Sequence, residues 1–177
     1  MQLEKLKYPI GKFIEYDKQD DRAYCIDQIA RLPASLSTLV SDLSAEQLQL
    51  LYRPDGWSIK QVVHHLADSH MNSLVRHKLT LTEQEPIIKT YHEQKWALLS
   101  DGLQDNLTDS LLLLKAMHKK WVRLLNDMSE NDFSYCYVHP AKGKKISLHT
   151  NTAIYAWHGE HHIAHIIQAL KYQGNFE

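Results

Sequence analysis

From about Asn151 to Gln173 the chain reads as one helix that is apolar almost all round, yet it carries four histidines within eight residues. Ile154, His158, His161, His165 and Tyr172 fall along one stripe, with His162 and Ala169 beside it, and Ile163, Ile167 and Leu170 occupy the opposite side. A helix with so little polar surface must be buried on more than one face, so it needs other helices around it. Gly174 ends it.

The rest of the sequence supplies those helices. Six glycines and five prolines in 177 residues leave long stretches uninterrupted. The first helix is expected from about Asp20 to Leu43, with Pro33 kinking it or marking a restart. Arg53-Pro54-Asp55-Gly56-Trp57 reads as a turn, and Ser58 caps a second helix whose stripe is Ile59, Val63, Leu66, His70, Leu74, His77 and Leu81. A shorter segment lies around Tyr91 to Ser100. Leu107, Leu111, Leu114, His118, Trp121, Leu125 and Met128 then alternate steps of four and three, the seam of a bundle helix. Tyr135–Val138 and Lys145–Leu148 flank a loop and read as a short hairpin. The expectation is an all-α four-helix bundle, one domain over residues 1–177, with a small hairpin or loop excursion before the last helix.

Twenty Lys+Arg against twenty-one Asp+Glu give a formal charge of -1, so no basic field draws the chain to nucleic acid. No segment reaches the roughly eighteen apolar residues of a membrane span, and the start shows no signal-peptide core, so the cytoplasm is the expected compartment. Cys25 and Cys136 are too few and too isolated for a disulfide framework or a thiolate site, which leaves imidazole and oxygen to hold any metal.

Imidazoles are abundant, twelve in all. His158 and His162 lie one helical turn apart, as ligands of a shared ion do, but His161 and His165 have the same spacing, and periodicity does not separate the pairs. Of His64 and His65, His65 lies beside the core stripe and His64 points more nearly away. His70, His77 and His118 sit on core stripes and read as packing or hydrogen-bonded residues, and His92, His139 and His149 as loop or surface residues. Three imidazoles without a thiolate suit zinc or nickel and leave a coordination position for water or substrate. No phosphate loop, nucleophile elbow or His-Glu-x-x-His motif competes, since Glu160 faces away from the His158/His162 side. Asp68, three residues after His65, is a candidate to orient a ligand.

Four stretches together resemble a known family: Tyr8–Phe13, Tyr52–Ser58, Gln61–Asn72 (with His64-His65-Leu66-Ala67-Asp68) and Tyr155–Ile166. In that order they resemble the DinB-like metalloprotein superfamily over nearly the full length, and most of all its YfiT-like branch of metal-dependent hydrolases. The resemblance implies a four-helix bundle, a homodimer, and one divalent metal ion per subunit held by three histidines, which match His65, His158 and His162. Where many DinB-like sequences follow the last ligand with Arg-Gly-Gln, this chain has Ile163-Ala164-His165, a variation shared by YfiT-like members.

The expected function is a hydrolase in which the three-histidine metal activates water against a small-molecule substrate. One alternative is a metal-dependent thiol S-transferase using a bacillithiol-type thiol, with the basic cluster Lys142, Lys144 and Lys145 attracting an anionic thiol. The other is a non-catalytic metal-binding protein.

Overall fold

Four long helices carry the structure, a computed structural model that describes residues 3–15, 21–141 and 143–176. In chain order the elements are α1 (Leu3–Lys7), α2 (Arg22–Val40), α3 (Ala45–Leu48), α4 (Ile59–Thr82), α5 (Glu93–Trp96), α6 (Thr108–Asp127), α7 (Glu130–Ser134), β1 (Cys136–His139), β2 (Lys144–Ser147) and α8 (Leu148–Tyr172). The protein is therefore the all-α four-helix bundle expected, with a two-stranded excursion before the last helix. Helix α8 packs against α2 and α4, and α6 packs against the same two helices. The long helices α2 and α4, and likewise α6 and α8, thus sit across the bundle from one another.

Several boundaries shift for local reasons. The expected start of the first helix, Asp20, lies outside the described residues. Helix α2 runs through Pro33 without a restart, because its neighbours on both sides bury the Ile29, Leu32 and Leu36 face. Helix α8 begins at Leu148, three residues before the expected Asn151, where the Ser147 hydroxyl accepts from the Thr150 amide at 3.0 Å. At its other end the left-handed conformation falls on Gln173 as well as Gly174. Around Tyr91 to Ser100 only the single turn α5 is helical.

The core divides into layers. Leu36, Val63, Leu66, Leu114 and Ile166 fill one end of the bundle, and Ile29, Trp121, Leu125, Phe133 and Ala156 fill the other. Gly159 brings α8 close to α2, since a Cβ there would stand 2.9 Å from a Leu32 methyl. The hairpin pairs Tyr137 with Ile146 in antiparallel register, and Ile88 donates to the Val138 carbonyl at 3.1 Å, fastening the segment after α4 alongside β1.

Candidate metal centre

Helix α4 delivers His65, and α8 delivers His158 and His162 from one face a turn apart. One ring nitrogen of each lies within 4.8 Å of the other two. The His65 and His158 Nε2 atoms stand 3.3 Å apart, and two nitrogens about 2.05 Å from a tetrahedral ion are about 3.3 Å from each other. The donor set fits a borderline divalent ion: three imidazoles and no thiolate.

The rings are also in the right charge state. Burial pushes the His65 pKa down to about 4. For His158 and His162 burial first, and the neighbouring imidazoles second, hold it well below the ordinary histidine value. Neutral rings keep a lone pair for a metal at pH 7. Trp57, at the end of the expected turn, covers the group, its ring centroid 4.5 Å from that of His65 and 6.3 Å from that of His162.

His64 packs away from this group, bonded to the Ser110 hydroxyl at 2.8 Å and the Gln104 carbonyl at 3.0 Å beside α6. His77 is a satisfied core histidine: its Nε2 meets the Thr152 hydroxyl at 3.2 Å and Nδ1 meets Asn151 at 3.1 Å. The rival pair on α8 divides. His161 stacks on Trp157, centroids 4.4 Å apart, and His165 stacks on Tyr52 at 3.8 Å while touching His162. His70 lies against His158, and His118 against His70. His92 is exposed in the loop before α5, whereas the half-buried His139 and His149 sit on β1 and in the first turn of α8.

One candidate is not where a supporting role needs it. Among the described residues the Asp68 carboxylate bonds to none of the clustered rings; it is half-buried, and burial, then Asp101, raises its pKa. Glu160 accepts from the Tyr24 hydroxyl at 3.1 Å, on the outer side as expected. Of the basic cluster, Lys142 lies outside the described residues and Lys145 pairs with Glu85, leaving Lys144 exposed on β2.

A cavity of about 790 Å³ opens onto His65, His158 and His162. Sequence reasoning missed its most informative residues, Arg53, Arg76 and Tyr155. Arg76 donates to the Tyr155 phenol oxygen at 3.1 Å, and its Nε has no hydrogen-bond partner. Among the described residues no carboxylate pairs with Arg76 or Arg53. The described lining carries Lys7, Arg53, Arg76 and Lys95 against Glu93, so the cavity favours anions. Arg76 was discoverable, since it follows His65 along one face of α4 through Ser69 and Asn72 at steps of four and three.

The sequence model of the DinB superfamily matches residues 28–166. A Bacillus licheniformis protein named "Putative metal-dependent hydrolase" is 42% identical over 174 residues, covering 97% of this chain and 99% of that one. An Oceanobacillus iheyensis protein of the same description is 46% identical over 168 residues, covering 93% and 96%. Among solved structures, YfiT from Bacillus subtilis, described as "a probable metal-dependent hydrolase with an unusual four-helix bundle topology", aligns with a TM-score of 0.92 at 37% identity. That alignment covers 96% of this chain and 98% of YfiT.

Proposed function

Because this chain belongs to the DinB superfamily, we propose that it is a metal-dependent hydrolase in which His65, His158 and His162 hold one zinc or nickel ion per subunit. The observation that supports this reading is the meeting of three neutral imidazoles, from two helices, at the wall of a cavity. A divalent ion there supplies Lewis-acid chemistry, activating water and polarising a carbonyl oxygen. The chain's own residues do the rest. Arg76 and Arg53 bind an anionic group of a small substrate, the Tyr155 phenol donates a hydrogen bond to the reacting oxygen, and Trp57 limits access of bulk water to the rings.

The test is metal analysis of protein purified without an affinity tag, joined to assay of small esters and amides carrying a carboxylate. One metal per chain and turnover abolished in His158→Ala are expected. Protein that takes up no divalent metal, and gains no activity when zinc or nickel is added, would overturn the proposal.

The unpaired arginines suit an anionic thiol as well, so thiol S-transfer is the second reading. Incubating the loaded protein with a bacillithiol-type thiol and an electrophile separates the two, since transfer above the buffer rate with no ester turnover favours the transferase. The family resemblance also supports a homodimer. Sedimentation equilibrium tests the dimer.

A further inference from the structure

We propose that two imidazole relays, each anchored on a backbone carbonyl, fix the ring tautomers of His158 and His162 so that both present an unprotonated Nε2 to the centre. The anchors are carbonyls that the backbone itself leaves unpaired. Pro33 has no N–H, so the Ile29 carbonyl four residues earlier lacks its helical donor. The Lys7 carbonyl lies in the last turn of α1, where helix carbonyls run out of partners.

Each carbonyl can only accept, and a neutral imidazole has one N–H and one acceptor nitrogen, so each anchor dictates the direction of everything upstream. His118 Nδ1 lies 2.6 Å from the Ile29 oxygen and must donate to it, which makes His118 Nε2 an acceptor. His70 Nδ1 is 3.0 Å from that nitrogen and donates, making His70 Nε2 an acceptor. His158 Nδ1, 3.1 Å away, donates in turn, and its Nε2 is left bare. In the second relay His165 Nε2 donates to the Lys7 oxygen at 3.1 Å. His165 Nδ1 then accepts from His162 Nδ1 at 3.3 Å, and His162 Nε2 is left bare in the same way.

This accounts for histidines that a metal site of three ligands does not use. The fold also packs them tightly. Trp121 packs edge-on to His70 and His118, with centroids 5.9 and 5.7 Å away, and Tyr52 stacks on His165. His70, His118 and His165 are positioning residues, acting through the two ligands rather than on the substrate.

The proposal rests on the reading of His158 and His162 as metal ligands, but its test separates the two. Long-range proton–nitrogen correlation spectra of metal-free, 15N-labelled protein should show Nδ1–H tautomers for His70, His118, His158 and His162, and Nε2–H for His165. An Nε2–H on His158 or His162 overturns the relays whether or not metal binds. The predicted tautomers in a protein that takes up no metal leave the relays standing and sink the hydrolase. In zinc titrations of folded variants, His70→Leu and His165→Phe should lose roughly 10–100-fold in affinity. His70→Gln, whose amide oxygen still accepts from His158 Nδ1, should recover most of it. Wild-type affinity in both His70→Leu and His165→Phe would refute the proposal.

Discussion

The Tyr155 phenol oxygen accepts from Arg76 at 3.1 Å and from Ser69 at 3.5 Å, which leaves its own hydrogen for a third partner in the cavity. Tyr155 is one turn before His158, with ring centroids 5.5 Å apart, so its hydroxyl shares the cavity with the centre. Tyr155→Phe keeps the ring packing on Trp121 and removes the hydroxyl, both the free donor and the oxygen that Arg76 and Ser69 donate to. Its kcat should fall roughly 10–100-fold with KM little changed. Steady-state kinetics decide: a raised KM at unchanged kcat would show that the phenol only binds. Arg76→Gln should do the opposite, raising KM roughly tenfold for a carboxylate-bearing ester, because a charge-assisted bond is lost. An uncharged ester of the same size should be unaffected, and equal losses for both esters would exclude an anion-binding role.

At this scale the sequence was legible in part. His65 was separable from His64 because one lies beside the core stripe and the other does not, and the structure puts them on different sides of α4. His158/His162 and His161/His165 could not be separated by spacing, since the choice depends on which part of α8 faces α4 and which faces α1. That is tertiary information.

Among elements, the long helices announced themselves through periodic apolar stripes, and the short ones did not. A helix of four or five residues, such as α3 or α7, is too short to show a period. Their signal was in the caps. Ser44 with Gln47, and Ser129 with Asp132, form reciprocal capping boxes, a pattern visible in the sequence at a spacing of three. Helix α8 relies on the simpler cap of Ser147, so Ser147→Ala should lower unfolding free energy by about 1 kcal/mol in urea titrations. Zinc affinity should not change, because His158 lies three turns further on; a matching loss of affinity would mean that fraying reaches the centre.

Pro33 poses the opposite case, a poor helix residue inside α2. Pro33→Ala restores a backbone donor to the Ile29 carbonyl that His118 now uses. The variant should melt at a higher temperature and bind zinc about threefold more weakly, as one hydrogen bond is shared rather than owned. Calorimetry and zinc titration on the same sample check both signs. Higher stability with unchanged affinity would show that the freed carbonyl matters to α2 alone.

Across the whole molecule, the bundle buries a column of histidines that the fold keeps neutral well into the acid range. The number of helices and their class could be read from the chain. Their arrangement could not, because apolar stripes give faces but not which helices lie diagonal, and it is the meeting of α4 with α8 that builds the centre. The arrangement has a consequence for pH. Burial pushes His77 and His118 down to about 4, with His65 and His161 also near 4 and His165 near 3. In the unfolded chain each titrates near about 6.5.

Below that pH the unfolded state binds protons that the folded state refuses, so acid favours unfolding. The stability is fully present above about pH 6.5 and is lost as pH falls toward about 4, with a slope of up to about 1.4 kcal/mol per pH unit for each such histidine. Urea titrations of metal-free protein at pH 7.5, 6.5, 5.5 and 4.5 should give a shallow decline between the first two and a steeper one after. Equal stability at 6.5 and 4.5 would mean that the rings reach solvent protons without unfolding. Zinc at about a hundred times its dissociation constant should add roughly 2.7 kcal/mol at pH 7.5. That increment should hold down to about pH 5, because the folded rings stay unprotonated there, and shrink only as pH nears about 4, where His65 takes up a proton in the folded chain.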